Sequence, residues 1–221
     1  MLDEAAWMSA TSVTDLLNHL CYERKVQRTK GGRRKFRLFG CACCRRVWDL
    51  IPPGPCRRAV EAAERYAEGH ATKEEMREAL GPAVPFLGEG PGPANRFAVH
   101  SAFRVAAAES VMAAWAGTDA SSALHGGWVP DDGAFCVLLR DVFGNPFRPE
   151  VLQRHWRTAN AGAAVHLARA IYDEGTFDRL PFLADALEDA GCDSAALLDH
   201  CRGLAPHVRG CWVVDQLLGK W

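Results

Sequence analysis

The chain has 221 residues, 48% of them hydrophobic and 24% charged, with a formal net charge of −1. That is ordinary for a packed soluble protein of one large domain or two small ones, and it allows a sizeable core without staples. No apolar run approaches the ~18 residues needed to span a bilayer, and Met1-Leu2-Asp3-Glu4 has neither the basic start nor the apolar stretch of a signal peptide. Cytoplasmic residence without a membrane partner is the expectation. There the nine cysteines stay reduced, so each is core filler, ligand or nucleophile rather than part of a disulfide framework.

Charge is unevenly spread. Between Glu23 and Arg46 ten Lys or Arg stand against one acid, so that segment is +9 and the remaining residues are −10. Residues 24–35, with Gly31-Gly32, read as an exposed basic loop, and Arg33, Arg34, Lys35 and Arg37 are its candidate contacts to a polyanion or an acidic partner. Nucleic acid is one such partner, although the stretch has only Tyr22 and Phe36 at its margins for stacking.

Helical punctuation runs through the whole chain. Residues 13–22 carry apolar side chains at 13, 16, 17 and 20 behind a cap formed by Ser12 and Asp15. The basic loop leads into a helix over 34–51, stopped by Pro52 and Pro53, on which Phe36, Phe39, Cys43, Val47 and Leu50 fall within an arc of about 80°. A helix over 56–68 follows, then a short one ending at Gly81-Pro82 and opened by a capping box of Thr72 and Glu75. The four glycines and four prolines of residues 81–93 mark a linker or long loop. Further helices are expected over 95–115, 134–143, 161–174, 180–190, 194–201 and 207–218, with a second loop over 117–133 containing Gly126-Gly127 and Pro130. Asp193 is the expected cap of the helix at 194–201, and Gly219 the stop of the last. No strand with sustained alternation, heptad or internal repeat is present. The fold class is therefore all-α: a multi-helix bundle with an N-terminal half over 1–80, a connection over 81–94 and a C-terminal half over 95–221, which can equally pack as one domain.

Several segments carry a resemblance. They are Arg37-Leu38-Phe39-Gly40-Cys41-Ala42-Cys43-Cys44-Arg45-Arg46-Val47-Trp48, residues 138–149 (LLRDVFGNPFRP), Phe177-Asp178-Arg179-Leu180-Pro181, and His207-Val208-Arg209-Gly210-Cys211-Trp212-Val213-Val214-Asp215. Together they resemble a family of planctomycete-type bacterial helical proteins sometimes found beside domains of the yeast cell-wall-synthesis regulator type. The resemblance implies no activity, substrate or ligand, so function has to be read from the residues.

Two places concentrate ligand and redox chemistry: Cys41-Ala42-Cys43-Cys44, and the cluster His200, Cys201, His207 and Cys211. Cys43 lies on the apolar stripe and reads as packing. Cys41 and Cys44, one turn apart, offer two thiolates to one ion. With Pro206 suited to a first helical position, His207 and Cys211 stack at i and i+4 as a second half-site. The four together, Cys41, Cys44, His207 and Cys211, match a closed zinc site that would staple the two ends of the chain, against the simpler reading of buried thiols as small hydrophobes. A thiol nucleophile, Cys201 or Cys211 with His200 or His207 as base and Arg202 or Arg209 nearby, is the catalytic alternative. Residues 140–149 read as a sharp corner in which Asp141 can pair with Arg148, or as a docking loop presenting Phe147 and Arg148 to a partner. No phosphate-cradling glycine loop, nucleotide fold or pair of catalytic carboxylates is apparent.

The function most consistent with the sequence is a cytoplasmic protein-interaction or adaptor module with another protein as partner. The alternatives are a metal-stapled nucleic-acid-binding protein using residues 24–46, and a thiol-dependent enzyme. The last helix, with Trp212, Val213, Leu217 and Leu218, is expected to be integral to the core.

Overall fold

A computed structural model describes residues 2–88, 92–125 and 133–220. Among these residues the chain is all-α, with no strand. Contacts divide it into two units, Met1–Leu139 and Arg140–Trp221. The first holds α1 (Glu4–Ser9), α2 (Val13–Asn18), α3 (Lys30–Arg46), α4 (Pro55–Ala67), α5 (Lys73–Leu80), α6 (Pro93–Val105), α7 (Ser110–Ala114), α8 (Ala116–Leu124) and most of α9 (Gly133–Phe143). The second holds α10 (Arg154–Thr158), α11 (Ala163–Glu174), α12 (Leu180–Asp189), α13 (Ala195–Arg202) and α14 (Trp212–Leu218).

The division at 139/140 differs from the halves 1–80 and 95–221 expected on either side of a linker. Residues 81–86 are a 3-10 turn that packs on α4 and α5 with Ala83 buried, and α6 beyond it packs on both α3 and α4. A Gly/Pro-rich stretch is a boundary only where few contacts cross it, and here many do. Residues 89–91 and the Gly126-Gly127 and Pro130 part of the expected second loop lie outside the described residues; the start of that loop is helix α8 instead.

Local signals fix most element starts. Ser12 accepts the Asp15 N–H at 3.3 Å, and Thr72 with Glu75 forms a complete capping box. The basic segment departs from expectation. After a π-turn over His19–Glu23 and a 3-10 turn over Val26–Arg28, Thr29 caps α3 by accepting the Gly32 N–H at 2.9 Å. Gly31 and Gly32 are thus helical. A Cβ at Gly32 would stand 2.0 Å from the Val26 carbonyl oxygen, so the glycine permits this close approach rather than a loop.

Helix α3 packs against α4, α6, α7 and α8 and is buried on nearly every side. Phe36, Phe39 and Cys43 sit at 0% exposure, as the stripe predicts, but so effectively do Cys41, Cys44 and Arg37 on other faces. Gly40 lets α3 touch α7: a Cβ there would be 2.2 Å from the Ala113 carbonyl oxygen. Arg37 is accommodated because its guanidinium donates to the carbonyls of Val105 and Ala107 at the end of α6, where helix carbonyls are unsatisfied and the dipole is negative.

In the second unit Leu180, Leu183, Leu187, Leu197, Val213, Val214 and Leu217 form the centre of one apolar cluster with Trp156 and Ile171. Helix α14 contributes to it along most of its length, so the last helix is core, as expected, although it begins at Trp212 and not at 207. Its Gln216 donates to the Glu150 carbonyl at 2.8 Å and accepts the Leu152 N–H at 2.9 Å, which fixes the extended stretch after α9 onto the cluster. Gly219, at φ +66°, terminates α14 as expected. The cap of α13 is Ser194 and not Asp193.

Candidate metal centre

Four side chains of the second unit converge: Asp141, His200, His207 and Cys211, with one ligand atom from each lying within 4.8 Å of all the others. Asp141 is in the last turn of α9. Its neighbours Leu138, Leu139 and Val142 are buried, which carries the carboxylate inward on the same face as Leu138. His200 is in the last turn of α13, held by the burial of Leu197 and Cys201. His207 lies in the chain between α13 and α14. The expected helix over 207–218 would have joined it to Cys211 by i, i+4 stacking; a turn does so instead. The Cys211 N–H donates to the Val208 carbonyl at 2.9 Å, Gly210 adopts φ +100°, and Cys211 becomes the residue that caps α14.

The carboxylate is the hub. Asp141 Oδ1 is 2.6 Å from His207 Nδ1 and 3.2 Å from His200 Nε2, while Oδ2 accepts the Val208 N–H at 2.9 Å. His200 Nε2 also lies 3.2 Å from Cys211 Sγ, and the His200 ring rests against Trp212, with centroids 5.0 Å apart. Burial works to raise the Asp141 pKa, but hydrogen bonds from His200 and His207, with their charges, hold it below the usual carboxylate range. Burial pushes the Cys211 thiol well up, as does the Asp141 charge, whereas the Val214 and Val213 N–H groups at the start of α14 act in the opposite direction. His207 Nε2 is buried without a hydrogen-bond partner, so the imidazole is held by what its Nδ1 faces.

This group could hold a metal ion. One carboxylate and one thiolate supply two negative charges to a dication, and two neutral imidazoles complete a set of four. Ligands at ~2.0–2.3 Å from a tetrahedral ion stand about 3.3–3.8 Å from one another; the separations here run from 2.6 Å between Asp141 and His207, through 3.2 Å from His200 to Asp141 and to Cys211, to at most 4.8 Å, so side-chain adjustment would bring the four onto one ion. A cysteine protease-like relay is a poorer description. A relay needs the histidine to face the thiol with one ring nitrogen and the carboxylate with the other, yet His200 presents Nε2 to both. The nucleophile would also have to be accessible, and Cys211 and Cys201 are both at 0% exposure, with burial raising the Cys201 thiol to about 12.

Of the four expected ligands, two come together and two lie elsewhere. His207 and Cys211 are brought together, but with Asp141 and His200 in place of Cys41 and Cys44. Those two cysteines belong to the first unit and have other neighbours: Cys41 Sγ faces the Val60 carbonyl at 4.0 Å, and Cys44 Sγ is 3.5 Å from Ser101 Oγ. Burial raises both thiols, Cys44 to about 12, as suits core packing. His200 was legible in the C-terminal cluster of the sequence. Asp141 is not legible there, since the sequence suggests a pairing with Arg148; its signal is one acid on the buried face of an apolar helix.

The other expected contacts also shift. Lys35 and Arg37 are buried at 6% and 2% exposure, and Arg34 pairs with Glu68 at 2.9 Å, so only Arg33 of the four candidates is exposed. Residues 144–149 do form a corner: Gly144 adopts φ +69°, and Asn145 Oδ1 accepts the N–H groups of Phe147 at 2.9 Å and Arg148 at 3.4 Å. Phe147 is half-buried and Arg148 exposed. No described helix is long and apolar enough to cross a membrane. Compared with protein-family models, curated proteins and solved structures, the chain matches none.

Proposed function

We propose that this protein is a helical interaction module whose C-terminal unit is stapled by a structural zinc ion bound through Asp141, His200, His207 and Cys211. The observation that carries this reading is the convergence of four N, O and S ligands, with Asp141 and Cys211 buried and the two histidines half-buried, whose carboxylate and thiolate would balance a dication. A mixed set of this kind and number suits zinc better than the all-oxygen shells preferred by magnesium or calcium. The site is closed, with four ligands and no position left for substrate, which fits a staple rather than a catalyst. The planctomycete-type resemblance adds no chemistry to this reading.

The interaction role follows from what the staple immobilises. His200 and His207 bracket the loop of residues 203–206, and at its centre Leu204 is fully exposed. An ion holding both histidines would fix that loop, and pre-ordering it would lower the entropic cost of docking Leu204 against another protein. Elemental analysis of the full chain purified without added metal tests the reading. One zinc per chain is expected, falling well below one in Cys211→Ser and His200→Ala. Folded wild-type chain that takes up neither zinc nor cobalt would overturn it. A photo-reactive residue at position 204 should give a discrete adduct with one other protein, lost on chelation; no adduct would remove the interaction role while leaving the staple intact.

A further inference from the structure

The first unit carries a separate surface. Folding sorts the basic segment: Lys35 and Arg37 go to the interior, Arg34 pairs with Glu68, and Arg45 is taken up by Glu64 at 2.6 Å and by the face of Trp48. Arg46 is exposed at the end of α3 over the Phe135 ring, and Arg24, Lys25, Arg28, Lys30 and Arg33 are exposed earlier in the segment. These last five cations fall within ten residues that contain no acid.

The backbone gathers them. Lys25 adopts the left-handed region at φ 54° and turns the chain from the π-turn into the 3-10 turn over Val26–Arg28. Arg33 folds back so that its guanidinium donates to the Arg28 carbonyl at 3.1 Å and the Gln27 carbonyl at 3.3 Å. One compact turn therefore displays all five charges. Tyr22, separated from it by Glu23, whose carboxylate lies 2.8 Å from His19 Nδ1, is 67% exposed. The first turn of α3 holds Lys30 and no acid, so the positive helix end adds to the local potential instead of being neutralised by it.

We propose that this turn is a docking surface for single-stranded nucleic acid, with the five cations following the phosphates and Tyr22 stacking on a base. Cations alone would suit any polyanion. An exposed aromatic beside them is the added feature of single-strand recognition, because every base offers a π-face that a duplex keeps stacked.

The test is fluorescence anisotropy of the full metal-replete chain with labelled oligo-dT and oligo-rU 20-mers across a salt series. If all five cations meet phosphates, log K falls with log salt at a slope of about −3.5, at ~0.7 per phosphate. Lys25→Gln/Arg28→Gln/Lys30→Gln, which alters no side-chain hydrogen bond described above, should reduce the slope by about 2. Tyr22→Ala should weaken binding about 5- to 150-fold at unchanged slope, and Tyr22→Phe should restore it. The proposal is overturned if single strands do not bind at low salt, or if Tyr22→Ala has no effect. Equal binding of duplex DNA, polyglutamate or phosphatidylserine-containing vesicles would also overturn it, by showing a surface that answers to charge alone. The zinc reading is independent, since chelation should leave these affinities unchanged.

Discussion

Replacing Asp141 is the sharpest probe of the cluster, because one carboxylate receives three donors. In Asp141→Ala the His207 and Val208 donors lose a partner in a buried setting, at about 1–3 kcal/mol each, while His200, at 18% exposure, can turn partly to water. The sum, about 2–6 kcal/mol, brackets the ~3–5 kcal/mol cost of removing one member of a buried charged pair and is a large part of a domain's ~5–15 kcal/mol. Asp141→Asn keeps the shape but sets an amide N–H against at least one donor, so about 1–3 kcal/mol is expected. Hydrogen exchange of the full chain, read by mass spectrometry in the presence of a chelator, isolates the effect: amides of α13 and α14 should exchange faster in the order wild type, Asn, Ala, while those of α3 and α6 stay unchanged. Zinc at a hundredfold excess over its Kd should add about 2.7 kcal/mol to the wild type and less to either variant. The sign with pH follows from the depressed carboxyl. Asp141 contributes stability above the unfolded carboxylate pKa of ~3.9 and loses it as pH falls through its lower folded value, so the metal-free wild type and Asp141→Asn should converge only in strong acid. Unchanged protection of α13 and α14 in Asp141→Ala would refute the carboxylate's role as hub.

All nine cysteines are buried, so the folded protein should resist thiol reagents; a thiol raised from 9.0 to about 12, such as Cys44 or Cys201, is ionised about a thousandfold less at pH 8, and one rapidly labelled cysteine would revive a catalytic reading. Gly40→Ala should lower stability by about 3 kcal/mol or more, because its Cβ meets backbone of α7, whereas Gly133→Ala, with open space around it in the first turn of α9, should be neutral or slightly stabilising in the same thermal melt. Ala161 is exposed yet held at φ 56°, so Ala161→Gly should stabilise the second unit by about 1 kcal/mol, and a lowered melting temperature would show that the left-handed turn is not strained.

What the sequence determined by itself was local. The helical class, the apolar stripe of Phe36, Phe39 and Cys43, the caps at Ser12 and Thr72 and the stop at Gly219 all follow from relations within one turn, where spacing and geometry are nearly the same thing. Even three members of the candidate ligand group, His200, His207 and Cys211, were visible because they are neighbours in the chain. Tertiary structure decided the rest. It set Asp141 and His200, not Cys41 and Cys44, beside His207 and Cys211, it put Lys35 and Arg37 inside and left Arg24, Lys25 and Arg28 outside, and it moved the division between units from the Gly/Pro stretch into α9. The physical reason is common to these cases. A charge or a thiol carries the same chemistry wherever it lies in a sequence, but whether it meets solvent, a carbonyl or another ligand depends on which helix faces pack together, and packing is a sum over many weak contacts between residues far apart in the chain.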